Sequence, residues 1–199
     1  MLGSKKTKLQ NDLDILEEMA DQMDGYLRMG TLFGPMGPSR PTLTLGGYLM
    51  REHRLLALKG TLSPAENDRL LKARQTFENT VMEWVVATEN KAEQEIEARL
   101  RQWTETIREL REDAVRYWSY YHSAVESRVM LTSLVKMLSN PPFKISPDVT
   151  GRIAVLDNAF YALWYSDSSL FVWDEDWTIA YQSADYEFLY GKPHNLAIK

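Results

Sequence analysis

The chain has 199 residues, 44% of them hydrophobic and 26% charged, with a net charge of −5 and a sequence pI near 5.3. That is the composition of a folded chain long enough to bury a core, which excludes wholesale disorder, and its acidic balance argues against an extended nucleic-acid surface built from clustered Lys and Arg. With no cysteine, disulfides, thiolate chemistry and Cys-ligated zinc or iron–sulfur sites are excluded.

The first residues carry Lys5, Lys6 and Lys8 followed by Asn11 and Asp12, which is not the apolar core of a secretory signal. The longest uninterrupted apolar run, Trp84 to Ala87, is far too short to span a bilayer. The expected location is the cytoplasm, with no membrane partner.

Residues 7–28 predict an amphipathic helix: Leu9, Leu13, Leu16, Ala20, Met23 and Leu27 recur at steps of four and three. Residues 30–47 hold six glycines and prolines up to Pro41 and then Gly46 and Gly47, so they predict a long connection rather than an element interior. The segment fits neither GxGxxG nor GxxxxGK[ST], so no phosphate cradle is expected. A short helix is predicted at 48–58. Ser63-Pro64-Ala65-Glu66 then combines a Ser cap, proline at the first helical position and glutamate three residues after the cap, a capping box.

From Ala65 to Asn140 there are 76 residues without glycine or proline. As one helix they would extend roughly 114 Å at 1.5 Å per residue, so a break is expected. Leu70, Ala73, Phe77, Val81 and Trp84 mark one apolar face. The pattern thins from Glu89 to Glu95, where Ala92 stands alone, and restarts at Ile96. It then runs through Leu100, Trp103, Ile107, Leu110, Ala114, Tyr117, Tyr121 and Ala124 in strict steps of four and three, the coiled-coil period. The change of phase places the predicted break near Glu89–Glu95. The weaker candidate is Ser123-Ala124-Val125-Glu126. The second helix would end near Ser139, before Pro141 and Pro142.

The last 57 residues hold 12 of the 22 aromatic side chains. A helix is predicted at 151–165, and Phe171 to Tyr181 suggests a small hairpin turning at Asp174-Glu175-Asp176. The fold expected is therefore all-α: an elongated antiparallel helical bundle with two long helices (residues 1–142), and an aromatic-rich C-terminal segment (143–199) packed on it within a single domain.

Three groups of residues are candidates for function. Ile96, Leu100, Trp103, Ile107, Leu110, Tyr117 and Tyr121 form a seam suited to a second helix, which points to a homo-oligomer or a helical protein partner. Trp173, Asp174, Glu175, Asp176 and Trp177 place three carboxylates between two indoles, a pattern that suits a cation or sugar; the plainer reading is a charged turn anchored by two core tryptophans. Arg116 and His122 frame Arg-Tyr-Trp-Ser-Tyr-Tyr-His. That spacing is similar to the short Arg…His motif of helical HEPN-type ribonucleases, a resemblance of two residues, and it implies a metal-independent nuclease with Arg116 and His122 in catalytic roles. The heptad register instead points both side chains outward as solvated groups. His122 and Glu126, four apart, supply two metal ligands where a site needs three or four, and the Glu-x-x-His pairs of dimetal bundles are missing before His53 and His122. No metal or other cofactor is expected. The leading expectation is a helical interaction or scaffold protein without catalysis. The alternative is a small-molecule binder with an aromatic-lined pocket.

Overall fold

A computed structural model describes residues 7–197; the lysine-rich start, as far as residue 6, lies outside the described residues. The chain is mostly helical, with one two-stranded antiparallel sheet and a cluster of aromatic side chains. It divides into two compact units, Met1–Glu95 and Ile96–Lys199. No helix among the described residues is long and apolar enough to cross a membrane.

The first unit holds α1 (Lys8–Arg28), α2 (Leu45–Ala57), α3 (Pro64–Glu83) and the start of α4 (Val85–Ala124). Both capping boxes that begin α1 and α3 are formed. The Thr7 hydroxyl accepts from Gln10 N–H and the Ser63 hydroxyl from Glu66 N–H, while Gln10 and Glu66 reach back to the cap amides. Cross-links along α1 and α3 advance together: Gln10 to Glu66, Asp14 and Glu17 to Arg69, Asp24 to Trp84. The two helices are therefore parallel. Gly47 near Met19 with Arg54 on Asp12, and Tyr48 on Phe77 with Glu52 on Arg74, run in opposite order, so α2 is antiparallel to both.

The connection expected at 30–47 ends at Thr44, because Leu45, Gly46 and Gly47 form the first turn of α2, capped by the Thr44 hydroxyl. Gly34 and Leu43 form an isolated antiparallel bridge, and a Cβ on Gly34 would lie 3.0 Å from the Tyr26 ring and 3.1 Å from the Leu43 Cβ, a tight fit that a side chain there would have to relieve.

The long run does not break at Glu89–Glu95; it is interrupted at Trp84, at Asp113 and at Val125, the last lying inside the weaker candidate Ser123-Ala124-Val125-Glu126 and separating α4 from α5 (Glu126–Leu138). Glu89–Glu95 lies inside α4 and is continuously helical. The first break is at Trp84 (φ −112, ψ 43), which caps α3. The second is at Asp113, whose backbone leaves helical space (φ −153, ψ 81) and whose Oδ1 accepts from Arg116 N–H at 3.0 Å. That bond makes Asp113 the cap of a new helical arm. The chain doubles back there: the Thr106 and Tyr117 hydroxyls lie 3.4 Å apart, although eleven residues of straight helix would separate them by about 16 Å. The seam at 96–138 is thus not one rod. It is an arm at 96–112, a returning arm at 114–124, and α5.

The second unit continues through α6 (Asp148–Tyr161), β1 (Trp164–Phe171), β2 (Tyr190–Pro193) and the short α7 (His194–Ala197). β1 pairs with β2 antiparallel, Trp164 opposite Pro193 and Phe171 opposite Tyr190, with an irregularity between Ser166 and Phe171. The expected hairpin at Phe171–Tyr181 is replaced by a single 3-10 turn, Glu175–Trp177, and β1 finds its partner some twenty residues later. Glycine makes that pairing possible: Gly191 sits at φ +128, and a Cβ there would lie 2.1 Å from the Tyr165 carbonyl oxygen.

Candidate functional site

The seam residues are covered by their own chain. Ile96, Leu100, Trp103, Ile107, Leu110 and Tyr121 are each at most 4% exposed, and Tyr117 is half-buried. Because the arms fold back at Asp113, this stripe does not outrun the single chain, and it is core rather than free surface. Trp103 packs on Phe160 (ring centroids 4.8 Å apart) and Phe188 (6.2 Å), and Tyr121 packs on Trp164 (4.9 Å). One polar group is set into this aromatic core. Asp157 accepts from Trp103 Nε1 at 3.1 Å and takes both nitrogens of a forked Arg128 contact, at 2.9 and 2.6 Å. The Arg128 guanidinium also lies 4.7 Å over the Phe188 ring. Burial raises the Tyr161 and Tyr186 hydroxyls to about 12.

Arg116 and His122 are both exposed, and six helical residues place them about 120° apart around the arm, so the structure does not bring the nuclease-like pair together. Arg116 contributes its backbone N–H to the Asp113 cap. His122 sits with Nδ1 3.1 Å from the Ser119 carbonyl, and its own carbonyl accepts from Trp173 Nε1 at 2.6 Å. Trp173 and Trp177 are half-buried and meet edge to face, with Trp173 also against Tyr181. Asp174 caps the short 3-10 turn, and Glu175 and Asp176 face solvent. The acids form a charged turn, and the tryptophans on either side of it are half-buried rather than part of the core. No group of three or more His, Asp or Glu side chains among the described residues could hold a metal ion.

Sequence periodicity missed a buried polar face. On α4, Thr88, Lys91, Ala92 and Glu95 are each at most 5% exposed; their spacing of three and four is helical. The Lys91 ammonium donates to the carbonyls of Met29 and Thr31 at 2.7 and 2.8 Å and lies 4.8 Å over the Tyr26 ring. Met29 caps the end of α1, so a cation meets carbonyls at a helix C-terminus; burial lowers the Lys91 pKa. Glu95 accepts from Gly46 N–H at 3.0 Å at the start of α2, beside the Thr44 cap, the complementary arrangement of an anion at an N-terminus. These two charges hold the glycine-rich connection at both ends. Only the helical spacing of non-apolar residues hinted at this face, and a hydrophobicity count discards that signal.

Two openings lie within the second unit. A groove of about 680 Å³ runs between α4 and α6, with Leu100, Val155 and Leu156 as its apolar part and Arg101, Glu105, Asp148 and Arg152 on its rims. Val155 is 69% exposed, and a Cβ on Gly151 meets nothing within 4 Å. The rim charges are firmly held. Hydrogen bonds from Arg152 keep the neighbouring Glu97 below the usual carboxylate range, the Ser146 hydroxyl does the same for Asp148, and Arg108 for Glu105. The second opening, about 470 Å³, lies between the two arms and α5, among Arg99, Tyr117, Tyr120, Glu126 and Met130. No family model, curated protein or solved structure matches the chain.

Proposed function

We propose that the chain is a helical interaction protein of the cytoplasm, acting without catalysis, whose α4–α6 groove receives an amphipathic helix of a partner protein. The observation that carries this reading is the groove itself. It has an apolar floor open above Gly151, an exposed Val155, and rims of both charge signs, the form in which an amphipathic helix is recognised. The same proposal takes the helices of each unit as an antiparallel helical bundle in which α4 presents one wall of the groove. The heptad seam serves as core, and the partner surface moves to the neighbouring face.

Gly151→Trp fills the groove while leaving the helix surface room to accept the ring. Affinity capture with the wild type and with this variant gives the test. A protein retained by the wild type, lost by Gly151→Trp and bound again as a purified pair supports the reading. Identical capture by the two, or a purified partner indifferent to the substitution, removes it.

A second reading rests on the opening between the arms, where Tyr117 and Tyr120 stand beside Arg99 and Glu126, a mix of aromatic and polar groups that suits a small molecule. A thermal-shift screen of metabolites and nucleotides checks it, with Tyr120→Ala as control. A ligand that stabilises both forms equally does not bind there.

A further inference from the structure

We propose that Asp113 is a hinge through which two copies of this chain exchange helical arms, giving a two-fold dimer in which α4 runs straight from Val85 to Ala124. Three observations meet at this residue. The apolar stripe passes it without a slip, Ile107, Leu110, Ala114 and Tyr117 keeping steps of three and four. No glycine or proline enforces the turn, since the whole stretch 65–140 lacks both. The connection between the arms is a single exposed residue with non-helical backbone, held by the bond from Arg116 N–H to the Asp113 carboxylate. Short hinge connections of this kind are where chains exchange elements.

The interactions that close the arms together are available from a second copy in the same geometry. Thr106 with Tyr117, Glu97 with Arg152, and Trp103 with Asp157 and Phe160 each join a residue before Asp113 to one after it. In the exchanged dimer each pair forms between copies, and only the hinge differs. Straightening it supplies intrahelical carbonyl partners to amides at the start of the second arm. The uninterrupted helix is about 60 Å long over its 40 residues. Asp113 opposes this, because aspartate caps a helix start well and is a poor residue in a helix interior. The cap therefore sets the balance between closed monomer and exchanged dimer. The groove changes with it: Leu100, Arg101, Thr104 and Glu105 precede the hinge and Asp148 to Leu156 follow it. Each dimer then carries two grooves, both built from two chains, and presents them to a bivalent partner.

Light scattering across a concentration series, on the full chain, measures the balance. Asp113→Ala is expected to lower the dimer dissociation constant by at least about tenfold, since two hinges straighten per dimer, whereas Asp113→Asn, which also caps, stays near the wild type. Arm exchange is read separately in this cysteine-free chain. Copies carrying Gln102→Cys are refolded with copies carrying Tyr120→Cys, in the wild-type and Asp113→Ala backgrounds, and treated with a short bismaleimide. Both positions are exposed, one on each arm. Cross-links that join unlike copies in the dimer fraction are expected. A dimer that cross-links no unlike copies, or an Asp113→Ala chain as monomeric as the wild type, overturns the proposal. If Asp113→Ala does not fold, the wild-type background decides by the same cross-link, and inserting Gly-Ser-Gly after Glu112 must abolish it.

Discussion

The two units solve the same problem, covering one helix face, with opposite chemistry. Before Glu95, α4 buries Thr88, Lys91 and Glu95 against backbone groups at the ends of α1 and α2. After Ile96 the same helix buries Leu100, Trp103, Ile107 and Leu110 among aromatic rings. The first surface is specified by directional hydrogen bonds to particular carbonyls and amides, and the second by apolar area and ring shape. A change of phase in the hydrophobic pattern therefore coincides with the boundary between the two units at Glu95 and Ile96.

The largest effects separate the two chemistries. Trp103→Ala and Arg54→Ala are each expected to cost about 3 kcal/mol in denaturant unfolding, the first by leaving a cavity and the second by leaving the buried Asp12 with only the longer Arg51 contact, 3.7 Å away. Rescue distinguishes them: replacing Asp12 and Arg54 together by leucine should return stability to within about 2 kcal/mol of the wild type. A double variant as unstable as Arg54→Ala would show that the polar region depends on more than that pair.

One substitution at two sites gives effects of opposite sign. The buried Thr88 Oγ1 has no hydrogen-bond partner among the described residues, so Thr88→Val should stabilise by about 1 kcal/mol. Thr106, also buried, donates to the Gln102 carbonyl at 3.0 Å and lies against the Tyr117 hydroxyl, so Thr106→Val should cost about 1 kcal/mol. Equal signs in thermal unfolding would refute this contrast.

Smaller effects compare the two helix starts. Ser63→Ala should cost about 1 kcal/mol. The Ser63 hydroxyl and amide hold the Glu66 carboxyl below its ordinary value. With the folded pKa depressed, the Glu66 contribution is complete above the unfolded pKa and is lost as pH falls through the folded value. Glu66→Gln should therefore flatten the acid limb of a stability–pH curve measured from neutrality downward, and an unchanged limb would remove Glu66 from the account. Smallest of all, Arg108→Ala on the exposed face should leave thermal unfolding unchanged within error, although Arg108 meets three glutamates.

Much of the first unit was legible because its signals are local. Ser63 and Pro64 begin a helix through contacts within three residues, and the stripe from Leu9 to Leu27 reports its own buried face. The Asp113 turn was not legible in the same way. A capping aspartate within Arg-Glu-Asp-Ala reads like any charged position of a solvated helix, and the heptad continues across it. The β1–β2 pairing was hidden as well, because the register depends on Gly191 meeting Tyr165 across a distance no local pattern encodes. The groove between α4 and α6 draws its residues from segments some fifty positions apart, so no motif announces it.

The sequence by itself determined the helical class, the capped helix start at Ser63, the glycine-rich connection and the apolar stripe from Ile96 to Ala124, all of which follow from nearest neighbours along the chain. Tertiary structure decided what the stripe faces. Folding the chain back at Asp113 buries Trp103 and Tyr121 against Phe160 and Trp164 of the same chain. A heptad fixes only that one helix face will be covered. Whether its own chain or a second copy covers it depends on one exposed hinge residue and on the free energy of the contacts that close over it.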